Sequence, residues 1–262
     1  MSKSMLKTTL AASAVLALAL AAAPALAADK PADKAGAPVK PAPLVAPVKA
    51  GVATTGGAAI SDTPKGVPNL TGKWINATPE AALKTSAGGA PPLNADGKKA
   101  YAKNKADKAA GKDPLASCFM HGEPRLLFTK YPFLIMQYGK HVDFLHQANH
   151  TFRITYFGAQ TDPEADPIWL GHPTAKWDGK TLVIDAGGYN AETWLDYSGL
   201  PHGEKLSTEE RYTLSADGST INGTVKIDDP EFYSKAWTAS FTLKKQPGYS
   251  LEQYSCMADH KM

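Results

Sequence analysis

The stretch TEERYTLSADGSTINGTVKIDD, Thr208–Asp229, decides the fold. Its two halves, Thr208–Leu214 and Thr220–Asp228, alternate apolar and polar residues, and Asp217-Gly218 between them is a hairpin turn dipeptide. Alternate residues of a strand share a side. In the first half the side carrying Tyr212 and Leu214 also carries Glu210, which puts a carboxylate where a core residue is expected.

Outward from this hairpin the same period of two recurs in Phe133–Tyr138, His141–Gln147, His150–Phe157, Trp169–Trp177, Thr181–Asp185, Ala236–Lys244 and Leu251–Cys256. Links such as Tyr138-Gly139 and Asp178-Gly179 are short. Strands joined by tight turns cannot build a parallel sheet, which needs long crossovers. The expectation is a mainly β fold, an antiparallel meander closing into a lipocalin-like barrel. Gly72-Lys73-Trp74 near the first strand fits that class, in which such a Trp plugs the closed end. One surface helix is expected, capped by Asn94, running through the Ala/Lys-rich stretch from Ala95 and stopped at Gly111.

Face assignments place further groups. Trp237, Ala239, Phe241 and Leu243 form an apolar side against Thr238, Ser240, Thr242 and Lys244, and the side of Val142 and Phe144 includes His146. An acid and an imidazole are therefore expected inside the barrel. Arg153 and Arg211 fall opposite the apolar sides of their strands and read as surface or edge ion pairs.

The 262 residues, 43% of them apolar, are spent unevenly. Met1–Ala27 has Lys3 and Lys7, an apolar run from Leu10 to Ala23 and Ala25-Leu26-Ala27, the pattern of a secretory signal peptide cleaved after Ala27. Residues 28–65 are rich in Ala, Pro and Lys, with no aromatic residue to form a core, and read as a flexible tether. Residues 66–262 are then a single barrel domain in the periplasm or outside the cell. No later segment is apolar enough to span a bilayer, and from Gly66 onward 21 Lys/Arg oppose 22 Asp/Glu, so no basic stripe points to nucleic acid. Cys118 and Cys256, the only cysteines, read as a disulfide tying the last strand to the start of the sheet.

The longest link, Ala186–Ser207, holds Tyr189, Trp194, Asp196, Tyr197 and His202. Long links in compact domains are usually binding loops. With His172 and Glu210, His202 and Asp196 make a proton-transfer set, while Trp194, Tyr189, Tyr197, His146, Tyr212 and Trp177 would hold an apolar substrate. The plainer reading is that Trp194 and Leu195 pin the loop, that Asp196 caps a turn, and that His172 is a hydrogen-bonded structural residue. The chain contains no HExxH, paired CxxC, EF-hand, P-loop, Rossmann or G-x-S-x-G pattern, so neither a metal nor an organic cofactor is expected.

The pattern GHxxxxWxGxTLVxD, TWLDxxGxPH and ERY, followed by IDDPEFYSKAWTASFTL and LEQYSC, resembles a family of exported, mostly proteobacterial proteins. The resemblance runs from about Pro91 to Cys256 and brings no activity. It puts emphasis on His172, Trp177, Asp185, Trp194, Asp196, His202, Glu210, Arg211, Asp229, Trp237 and Cys256. Where that family has serine after the two histidines, this chain has Pro173 and Gly203.

These readings converge on an exported, cofactor-independent acid/base enzyme, a lyase, isomerase or hydrolase, acting on a small aromatic or amphipathic molecule at the barrel mouth. The alternatives are a non-catalytic binder of small ligands and a metal-binding module.

Overall fold

Nine strands close on themselves in chain order in the computed structural model, which describes residues 63–158, 165–252 and 256. The expected signal peptide lies outside those residues, as does nearly all of the tether. The strands are β1 (Gly72–Asn76), β2 (Phe133–Gln137), β3 (His141–His146), β4 (Phe152–Phe157), β5 (His172–Asp178), β6 (Thr181–Gly187), β7 (Ser207–Leu214), β8 (Thr220–Asp228) and β9 (Trp237–Lys245). The hairpin of Thr208–Asp229 forms as β7 and β8, with Tyr212 opposite Gly223 and Glu210 opposite Val225. The single α-helix among the described residues, α1 (Ala95–Ala109), starts where Asn94 accepts a hydrogen bond from the Gly97 amide. Its Lys/Ala surface is mostly exposed.

Three expected boundaries move, each for a local reason. The run from Trp169 becomes a strand only at His172, because Gly171 takes φ +62° and a Cβ there would meet the Gly187 carbonyl oxygen at 2.8 Å. The run from His150 starts at Phe152, because Ala148–His150 forms a 3₁₀ turn with Asn149 and His150 at positive φ. Leu251 and Glu252 are not strand, and β9 closes the barrel on β1 instead, with Trp74 opposite Lys245. The disulfide Cys118–Cys256 is present, but it fastens the C-terminal segment to the end of the 3₁₀ turn Pro114–Ser117 rather than a last strand to the sheet.

The meander has one break. β4 pairs with β5 in parallel, through Tyr156–Thr174 and Phe157–Ala175, a pairing that a tight hairpin turn cannot make. The other eight neighbour pairs are antiparallel.

Aromatic side chains fill the interior. Phe128, Phe241, Tyr212, Phe144 and Phe133 form a chain of ring contacts with centroids 5.3–6.3 Å apart. Trp74 is fully buried and its indole N–H donates to the Leu70 carbonyl at 2.9 Å. A Cβ on Gly223 would come within 2.2 Å of the Phe241 ring, so the absence of a side chain there lets the ring lie against β8.

Candidate functional site

β4 is inside out relative to its neighbours. Phe152, Ile154 and Tyr156 face outward, 66%, 43% and 53% exposed, while Arg153 and Thr155 turn into the barrel. Arg153 is therefore no surface residue. An alternating strand shows two faces but does not say which one the rest of the chain will cover, and here the register Phe144–Arg153 and Val142–Thr155 puts the polar face beside core residues of β3.

Inside, Arg153 gathers two carboxylates. Its Nη1 lies 2.9 Å from Glu210 Oε1, 3.0 Å from Glu210 Oε2 and 3.6 Å from Glu123 Oε1. Glu210 Oε2 also accepts the Tyr212 hydroxyl at 2.5 Å. Burial works against the charge of Arg153, but the two carboxylates outweigh it and hold the guanidinium protonated. Glu123 is different. Burial, reinforced by the nearby Glu210 charge and only partly offset by Arg153, pushes its carboxyl up to about 8, so it carries a proton at neutral pH. Burial and the same Glu210 charge raise the Tyr212 phenol well above its ordinary value.

Beside this cluster His146 stacks on Phe133 at 4.7 Å, and burial, then the Arg153 charge, presses its pKa down to about 3. His121 falls to about 4, by burial and then the Arg125 charge. Both imidazoles are thus neutral at pH 7. Among the described residues Arg153 Nε and Nη2, Thr155 Oγ1, Glu123 Oε2, His121 Nδ1 and both nitrogens of His146 find no hydrogen-bond partner in the protein. So many unused buried donors and acceptors in one neighbourhood are uncommon in a core whose polar groups serve only packing. His121 lines a cavity of about 340 Å³ with Phe128, Tyr131 and Tyr197, and His146 lines another of about 500 Å³.

Of the residues singled out from the sequence, Glu210, Tyr212, His146 and Tyr189 meet in or around this interior. Tyr189 is fully buried, bonded through its hydroxyl to Thr208 Oγ1 at 2.7 Å, and its ring stands 6.5 Å from that of His202. Burial raises its phenol, against the attraction of Arg153.

The other expected members lie elsewhere. Asp196 accepts backbone N–H groups of Leu83, Ser198, Gly199 and Leu200 at 2.8–3.0 Å, so it staples the long loop and corresponds to the turn-capping reading. His172 sits on the outer surface, its Nε2 2.9 Å from the Asp166 carbonyl oxygen, along a groove with Asp185 and Lys226. His202 is buried and lowered to about 4 by burial, with Nε2 2.8 Å from Thr193 Oγ1 and Nδ1 3.3 Å from the Gly203 carbonyl oxygen. Trp194 lines the same cavity as His202. Arg125 lies over the Tyr197 ring at 4.3 Å and the Trp194 ring at 5.7 Å, and Trp177 stacks on Phe157 at 6.1 Å. Arg211 does sit at the surface, paired with Asp178 and with Glu209. The four-residue set of His202, His172, Asp196 and Glu210 is therefore not one constellation.

No family model and no curated protein matches this chain. Among the described residues no group of three or more His, Cys, Asp or Glu is arranged to hold a metal ion. No helix among them is long and apolar enough to cross a membrane.

Glu123, Arg153, Thr155 and His121 join the site only through the fold. Arg153 and Thr155 share a face two residues apart, a visible signal, but the apolar face opposite them made the inward choice look wrong. Glu123 lies outside any strand, and nothing local marks it.

Proposed function

We propose that this protein is an exported acid/base enzyme, a lyase, isomerase or hydrolase, that acts on a small aromatic or otherwise amphipathic molecule. The observation that carries this reading is the carboxyl pair on Arg153: Glu123 protonated at pH 7 and Glu210 ion-paired, 3.6 and 2.9 Å from the same guanidinium nitrogen. A buried carboxyl that keeps its proton beside a second carboxyl held by a guanidinium is how a site brings a proton donor and an acceptor together at neutral pH. Glu123 is the proton donor and Glu210 the acceptor, Arg153 and the Tyr212 hydroxyl fix the acceptor's geometry, and the neutral His146, within reach of the Arg153 charge, lines a cavity. Export is supported by the Met1–Ala27 pattern and by the disulfide.

The test is turnover of a panel of aryl esters, enolisable aryl ketones and 3-hydroxy acids by wild type, Glu210→Gln and Glu123→Gln, each checked for folding by near-UV circular dichroism. Loss of about a hundredfold or more in both variants is expected. Unchanged turnover in either variant refutes the assignment.

A second reading has its own observation: Glu123, Arg153 and Glu210 are at most 3% exposed, as in a sealed core. A non-catalytic small-ligand carrier then fits, and it predicts binding indifferent to Glu210→Gln with no turnover across the panel.

A further inference from the structure

The cavity of about 500 Å³ at the β3–β4 end of the barrel joins apolar walls to a polar floor. Leu145, Phe152, Ile154 and Leu251 supply the walls. Phe152 and Ile154 are large apolar side chains left open to solvent, a cost that a bound apolar body would remove. His146 and Thr151, 5% and 3% exposed, line the same cavity, and both imidazole nitrogens and the Thr151 hydroxyl lack partners in the protein. Besides His146, the ionisable groups at the cavity are the carboxylates Asp143 and Glu252 and the exposed imidazole of His150.

We propose that this cavity binds a small apolar molecule bearing one uncharged hydroxyl, a phenol or an alcohol, and that His146 and Thr151 read the hydroxyl. A hydroxyl both donates and accepts one hydrogen bond with ease, and a neutral imidazole and a threonine hydroxyl each offer both roles. An anion is disfavoured because His146, pressed to about 3, carries no charge to meet it and the rim already holds two carboxylates. Arg153, whose charge reaches His146, is not part of the cavity wall and is paired with Glu210. Use of this cavity as the substrate cleft rests on the acid/base reading above, whereas the binding itself does not.

Isothermal titration of the purified chain with 4-propylphenol and 4-propylbenzoate tests the assignment. One phenol is expected to bind per chain, the benzoate at least about tenfold more weakly. Thr151→Val, which keeps the shape and removes the hydroxyl, should weaken the phenol about fivefold. Ile154→Asp on the exposed wall should weaken it further while leaving the melting temperature close to that of wild type. Phenol binding by the wild-type chain with no turnover of the panel overturns only the enzyme reading. The proposal itself is overturned by no phenol binding, by equal binding of the benzoate, or by no effect of Thr151→Val and Ile154→Asp.

Discussion

Replacing Glu123 by glutamine isolates a strongly perturbed carboxyl. In the unfolded chain this group titrates near 4.5, and in the folded barrel near 8. Between those values the folded state holds a proton that the unfolded state has lost, so stability falls as pH rises through the window, by about 1.4 kcal/mol per unit. Three buried histidines act with the opposite sign. His121, His146 and His202 drop from 6.5 to about 4, 3 and 4, so the unfolded chain takes up protons that the folded one refuses as pH falls below 6.5. Between pH 4.5 and 6.5 three such protons oppose the one on Glu123, a net loss on acidification of about 2.7 kcal/mol per unit. Wild type should therefore be most stable near pH 6.5. Glu123→Gln removes the alkaline decline: from pH 6.5 to 8 its advantage over wild type should grow by about 2 kcal/mol, and its acid side should steepen. Urea unfolding followed by tryptophan fluorescence at half-unit steps from pH 5 to 9 measures both slopes. A wild-type stability that is level or rising from pH 6.5 to 8, or a variant with the same slope as wild type, refutes the protonation assignment.

Arg153→Met leaves Glu210 buried without its counterion, and a loss of about 3–5 kcal/mol is expected in the same urea assay. Asp196→Ala strips one acceptor group from four backbone N–H donors and should cost about 2–4 kcal/mol, yet any activity per folded molecule should survive, because the residue anchors a loop; selective loss of activity would return it to the site. Gly223→Ala drives a methyl group into the Phe241 ring and should lower stability by about 1–3 kcal/mol in thermal unfolding. Removing the disulfide with Cys118→Ser and Cys256→Ser together frees a link across 138 residues and should cost about 2–5 kcal/mol; an unchanged melting temperature would count against its structural role.

The local order of the fold was legible in the sequence. Period-two alternation marked eight of the nine strands, Asp217-Gly218 marked a turn, Asn94 marked a helix start, and alternation in Thr208–Leu214 put Glu210 inside, because a strand's two faces follow from backbone geometry alone. What alternation leaves open is which face the rest of the chain covers. In β7 the apolar residues went inward, whereas in β4 they went outward, and only the closed barrel, which sets Arg153 against Glu210 from β7 and Glu123 from a loop, decided that. A buried guanidinium persists where carboxylates from distant segments offset its lost hydration, and those partners come together only when the chain folds. The same holds for Asp196, whose fate depended on backbone N–H groups from Leu83 and its own loop. Spacing along the chain could nominate the titratable residues, but their protonation depends on burial and neighbouring charge, which exist only in the closed barrel.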